Sequence, residues 1–168
     1  MKIEDIFGSV ASRMVEGVMF HDNLYLMFTY LGMQKFANEH KLQYDEESDN
    51  YKDICKFFVL NENKLPPKTR VEIFDFIPTE WYSLNRHEIR YEERVALIES
   101  LFQLWIKWEQ DTKKIFSQAY NELTLSGEYS YADKIMLYLN DVQNELARAN
   151  KEYLEFKASG YDMPSVVF

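Results

Sequence analysis

Between Val95 and Leu123 the chain keeps one rule: Val95, Ile98, Phe102, Trp105, Glu109, Thr112, Phe116, Ala119 and Leu123 follow one another at alternating steps of three and four. Such steps return to the same side of an α-helix every two turns, and a strand of period two cannot satisfy them. An amphipathic helix of that length must lay its apolar stripe against other helices. A second stripe obeys the same rule through Ala132, Ile135, Leu139, Val142, Leu146, Ala149, Tyr153 and Phe156. Gly127 stands between the two, as a helix-ending glycine should. The pattern therefore predicts helix C over 86–125 and helix D over 130–159, joined by a short turn into an antiparallel hairpin. Asn85 with Glu88, and Ser130 with Asp133, are the candidate start signals.

Upstream the periodicity is looser. Val10, Met14, Gly17, His21, Leu24, Phe28 and Leu31 form one seam, widened by Tyr25, Gly32 and Phe36. It predicts helix A over 10–42. Asp45 is the expected N-cap of helix B over 45–65, with Glu46 and Glu47 at the positive end of its dipole. Its seam reads Cys55, Phe58, Glu62, Leu65, and Pro66-Pro67 stops it. Residues 66–85 break the pattern with Pro78, a strand-like run Val71-Glu72-Ile73-Phe74 and the pair Trp81-Tyr82. So many large apolar side chains suit an ordered crossover better than a flexible linker. About twenty residues suffice to travel the length of a bundle. The expected fold class is all-α: one domain over 1–168, a four-helix bundle made of two antiparallel hairpins joined by one long crossover.

Composition narrows function by exclusion. The net charge of −9 disfavours direct contact with a phosphate backbone and suits cations, basic partners or solubility. Only 5 Gly and 4 Pro argue against a turn-rich β architecture. Cys55 is alone, so no internal disulfide can form, and a reducing cytoplasm is the expected setting. The opening Met-Lys-Ile-Glu-Asp lacks the apolar run of a signal peptide. The longest apolar stretch, Met14 to Phe36, is broken by Glu16, His21 and Asp22 and does not read as a membrane span. Phosphate-binding glycine loops, Cys-x-x-Cys, Gly-x-Ser-x-Gly and His-Glu-x-x-His are all missing.

The one irregularity in the helix C seam is Glu109, a carboxylate in mid-stripe. Counting outward from a turn near Ser126 brings Gln143 to its level, with Glu145 within a turn of it. Here the sequence resembles the ferritin-like superfamily. Trp108-Glu109-Gln110-Asp111-Thr112-Lys113-Lys114-Ile115 is similar to the third-helix motif of bacterial ferritins, although Thr112 and Ile115 fall one residue early. Gln143-Asn144-Glu145 is similar to the fourth-helix Gln-x-Glu element, and Tyr30-Leu31-Gly32-Met33 to the Tyr-Leu-Ser-Met of the first helix. The resemblance implies a di-metal carboxylate site with Glu109, Gln143, Glu145, Glu62 and His21 as its ligands and Fe or Mn as its metal. Asn23 falls where the family's first-helix Glu belongs, and helix B lacks the Glu-x-x-His pair. In general look the chain also resembles small acidic ferritin-like proteins of bacteriophages and prophages.

The leading expectation is accordingly a non-catalytic, acidic protein-interaction module with no cofactor. Its sharpest form is a phage-encoded inhibitor of a host nucleic-acid-binding or defence complex, acting through a protein partner. Asp45, Glu46, Glu47, Asp49, Trp81 and Tyr82 would be its interaction surface. The alternative is an iron-handling or oxidase protein. A third is a structural protein that self-associates, as a homodimer for instance. His40 and His87 are expected to be exposed and Cys55 to be core.

Overall fold

The computed structural model describes residues 3–67 and 76–160. Four helices account for almost all of them: α1 (Ile3–Tyr30), α2 (Gln34–Glu62), α3 (Tyr91–Leu125) and α4 (Tyr129–Ala158), with a short 3-10 turn at Thr79–Ser83 before α3. The expected strand-like run Val71–Phe74 lies outside the described residues.

The first hairpin turns earlier than the sequence pattern predicts. The chain reverses at Leu31-Gly32-Met33, not near Tyr44, because Gly32 adopts φ 77°, a left-handed conformation that costs a side-chain-bearing residue strain. The Met33 N–H reaches the Phe28 carbonyl at 2.8 Å and the Gly32 N–H reaches Thr29 at 3.0 Å. These are the paired bonds of a Schellman ending, and they satisfy carbonyls that the helix end would leave bare. Leu31 and Met33 are fully buried on either side, which anchors the turn in the core. Asp45 is consequently an exposed mid-helix residue of α2 and caps nothing. His40 is likewise mid-helix and fully buried, contrary to expectation, whereas His87 is exposed.

The second hairpin follows its heptads closely. Gly127 takes φ 77° just past α3, and the Glu128 N–H bonds the Leu123 carbonyl at 2.9 Å. α4 starts at Tyr129 rather than from a Ser130 cap, and α3 starts at Tyr91, where Glu93 accepts the Arg90 N–H.

Backbones approach most closely within each hairpin and next between α1 and α3. α2 and α4 meet through long side chains instead: Tyr131 donates to Glu62 at 3.0 Å, and Lys134 and Tyr138 both reach Asp53. The Tyr30 hydroxyl donates to the Leu84 carbonyl and Arg94 to Leu31 at 3.0 Å. The crossover therefore delivers the chain to the end of the bundle where α1 stops, and α3 descends antiparallel to α1.

Two apolar clusters fill the interior. One, towards the α1–α2 turn, is strongly aromatic and holds Phe20, Phe28, Phe36, Phe102, Trp105 and Trp108. The other, at the opposite end, holds Val10, Met14, Ile54, Phe58, Phe116 and Ile135. Between them lies a belt of buried polar residues: His21, His40, Gln43, Glu109 and Thr112.

A buried carboxylate centre

Glu109 comes from the middle of α3 and is 2 % exposed. The heptad that buries Trp105 and Phe116 buries it too, since all three lie on one stripe. Glu47 of α2 faces it. From the observed start at Gln34, the α2 stripe reads Phe36, His40, Gln43, Glu47, Asn50, Ile54, Phe58, and Glu47 is carried inward with it. Gly17 of α1 makes room: a Cβ built there would stand 3.3 Å from the Glu47 carboxyl. Glu145 of α4 is the third acid, and Arg148 lies 3.6 Å from it. With Gln43, Met14, Phe116 and Val142 these acids line a cavity of about 20 Å³, with Glu46, Asn50 and Asp141 also on its walls.

Burial and like charge dominate the electrostatics. Burial, then the neighbouring Glu145 and Glu46, pushes Glu47 up to about 8. Burial raises Glu145 to about 7 despite Arg148. Glu109 is raised well above the usual carboxylate range by burial, Glu47 and Glu145, with Arg13 and the Trp105 indole acting against them. At neutral pH the trio therefore shares protons and does not carry three full charges.

His21 and His40 sit one layer above. Their Nδ1 atoms are 3.0 Å apart, so one ring donates and the other accepts. Burial depresses His21 to about 3 and holds His40 well below the ordinary value, so both rings are neutral. His21 Nε2 is 3.7 Å from Glu109 Oε1, a contact between a neutral ring and a carboxyl whose pKa burial raises. His40 stacks on Phe28 at 5.3 Å and meets the edge of Trp105. On the α1 side, Arg13 lies 3.3 Å over the Trp108 ring and bonds Thr112 at 2.9 Å and the Trp108 carbonyl at 3.0 Å.

Of the ligands that the resemblance implies, Glu109, Glu145 and His21 come together around this belt. Gln143 is exposed, on a different face of α4 from Val142 and Glu145. Glu62 lies fifteen residues beyond Glu47, roughly 22 Å along the helix, and is engaged with Tyr131. Of the expected interaction surface, Asp45, Glu46, Asp49 and Tyr82 are exposed, whereas Glu47 points inside and Trp81 is 7 % exposed against Tyr30. The sequence reading missed Gln43, His40 and Glu47 as members of the belt. The signal was present in their three-four spacing from Phe36, and the misplaced turn hid it.

A two-metal centre does not fit this residue set. α1 offers Gly17 at the level of Glu47, and α2 offers Glu47-x-x-Asn50 where a Glu-x-x-His pair is needed. Among the described residues no three His, Cys, Asp or Glu side chains converge closely enough to hold an ion as they stand. Among the described residues, too, no helix is long and apolar enough to cross a membrane.

No protein-family model matches the chain, and no curated protein matches it in sequence. Solved structures do match in shape. An Archaeoglobus fulgidus ferritin engineered into a closed form superposes with a TM-score of 0.68 over 98 % of this chain and 91 % of that one, at 14 % identity. Identity that low speaks for architecture alone. Four helices in two hairpins, one long connection and that superposition together make this chain a ferritin-like four-helix bundle.

Proposed function

We propose that this protein is a ferritin-like cation binder that does not carry two-metal oxidase chemistry. The observation that supports it is the trio Glu47, Glu109 and Glu145, contributed by three different helices to one cavity, with Glu109 buried and the other two partly so. Buried acids that repel each other destabilise a bundle unless something binds them, and apolar replacements would pack better. Gly17 and Asn50 stand where a second metal would need donors, which argues against the iron-oxidase alternative. The test is elemental analysis of gently purified protein, with thermal shifts on adding Mn2+ or Fe2+. A divalent cation should raise the melting temperature of the wild type and not of Glu109→Gln. Equal shifts in both proteins, or none in either, would overturn the proposal. So would stoichiometric oxygen consumption on adding Fe2+.

A second reading, recognition of a protein partner, draws on a different observation. Leu26, Tyr82 and Leu84 are exposed around a groove of about 340 Å³ floored by Met27, Tyr30 and Trp81. Surface aromatic residues around a buried Trp are the usual anchor of an interface. An acidic module that occupies a basic nucleic-acid-binding protein, in a phage or elsewhere, belongs to this reading. Capture from a bacterial lysate should recover a partner with wild type and lose it with Tyr82→Ala; recovery unaffected by Tyr82→Ala would remove it. Sedimentation at two concentrations separates that outcome from a homodimer formed through the same groove.

A further inference from the structure

From the cavity between Glu47, Glu109 and Glu145 we infer a site for one hard divalent cation, with the side-chain carbonyl of Gln43 as its fourth oxygen donor. The inference rests on the cation-binding reading above and adds stoichiometry, donor set and selectivity to it.

Three observations carry it. The first is Gln43. It is 2 % exposed, lines the cavity, and neither its amide oxygen nor its amide nitrogen has a hydrogen-bond partner. Burying an amide without partners is unfavourable, so a residue serving only to fill space would be apolar. An amide oxygen lining a cavity together with carboxylates is a donor suited to a hard cation held between them. One Glu145 oxygen, Oε2, is likewise buried without a partner.

The second is size. The cavity is small, about 20 Å³, with room for an ion-sized occupant. Two metals roughly 3.5–4 Å apart with a bridging ligand require more. Gly17 does not enlarge it, because the Glu47 carboxyl already occupies the position a side chain of α1 would take.

The third is donor chemistry. The cavity is lined by carboxylates, Gln43 and Asn50, with no thiol or imidazole among its walls. Oxygen-only sets favour Mn2+, Mg2+ or Ca2+ over metals that prefer nitrogen or sulfur. His21 and His40 bond each other through Nδ1 at 3.0 Å, and neither ring lines this cavity. The carboxylates ring the cavity and do not yet converge, so Glu47 and Glu145 change rotamer to close on the ion. The cation enters from the α2–α4 side, where exposed Glu46 and Asp141 stand on the cavity wall.

The experiment is a calorimetric titration of chelator-treated full-length protein with MnCl2, with free Mn2+ counted in parallel by EPR. One Mn2+ per chain is expected for wild type. Gln43→Leu should weaken binding by about tenfold or more while keeping the fold, and Gln43→Glu should retain or tighten it. Should Gln43→Leu not fold, the near-isosteric Gln43→Met takes its place. Two equivalents per chain would overturn the single-ion site and leave the broader reading standing. No binding by wild type would overturn both. One equivalent held equally well by Gln43→Leu or Gln43→Met would remove Gln43 from the site. Zn2+ binding more tightly than Mn2+ by over about a hundredfold would refute the oxygen-only donor set.

Discussion

The α1–α3 face and the α2–α4 face of this bundle solve the same packing problem in opposite ways. Across the first, Phe20 stacks on Trp108 at 4.4 Å, Phe28 meets Phe102, and Arg13 closes the edge with hydrogen bonds at both ends of its guanidinium. Across the second, acids recur at steps of seven: Glu39, Glu46 and Asp53 on α2, set against Glu152, Glu145 and Tyr138 on α4. Glu39 acts on Glu152, Glu46 acts on Glu145, and Asp53 accepts from Tyr138. Apolar packing holds the first face whatever the solution conditions. The second carries partly buried acids and depends on their protonation. The contrast teaches where stability and responsiveness reside, and each can be attacked separately.

The largest effect belongs to the apolar face. Trp105 is fully buried beneath Phe102 and His40. Trp105→Ala should cost about 3–5 kcal/mol in a urea unfolding curve, at any pH. A loss under about 1 kcal/mol would mean that the aromatic cluster is not the core it looks.

Next comes pH, which sharpens the contrast directly. Glu47, Glu145 and Glu152 titrate at about 8, 7 and 8 in the folded chain, against 4.5 ordinarily. Between those limits the folded state binds more protons than the unfolded chain, so stability falls as pH rises and levels off above about 8. His21, depressed to about 3, works oppositely: its contribution is lost as pH drops from 6.5 towards 3. The melting temperature should therefore be higher at pH 6 than at pH 8.5, and Mn2+ should narrow the gap. A melting temperature that is flat or climbs over that interval would contradict the acid ladder.

Smaller effects test single rungs. Glu152→Gln relieves the Glu39 repulsion and should raise the melting temperature at pH 8 by a few degrees, with little change at pH 5, as differential scanning calorimetry would show. Tyr138→Phe removes the hydroxyl bonded to Asp53 and should cost about 1 kcal/mol, and no more than that because Asp53 is half exposed. The weakest is Lys107→Ala on the outer surface of α3. Its partner Asp111 is one helical turn away at 2.9 Å, and the loss should stay under about 0.5 kcal/mol.

The second half of the bundle was legible because its punctuation coincides with its periodicity. The α3 and α4 stripes each run true, and Gly127 falls where one stripe ends and the other begins. Glu109 could be found for the same reason, as the one acid on an apolar stripe. The first half was harder to read. Tyr30, Leu31, Met33 and Phe36 continue the apolar pattern straight through the turn, with no proline and no polar cluster to mark it. Only Gly32 signals the reversal, and a glycine inside an apolar run also reads as a close-packing position. Moving that turn by about twelve residues turned Glu47 from an inward-facing acid into a supposed first-turn residue behind an Asp45 cap and left His40 near a helix end. The pairing of Gly17 with Glu47 is beyond any single-sequence reading, since it depends on how two helices are rotated about their axes.

That three-residue reversal has a mechanical corollary. With no slack between Tyr30 and Gln34, the hairpin behaves as a gear with one engaged tooth. Inserting one residue after Gly32 would rotate α2 by roughly 100° about its axis. Gln43 and Glu47 would swing off the interior together and the neighbouring stripe would take their place. The shortness of the loop thus fixes which chemistry this bundle can hold at its centre, although the loop supplies none of the residues that line the cavity there.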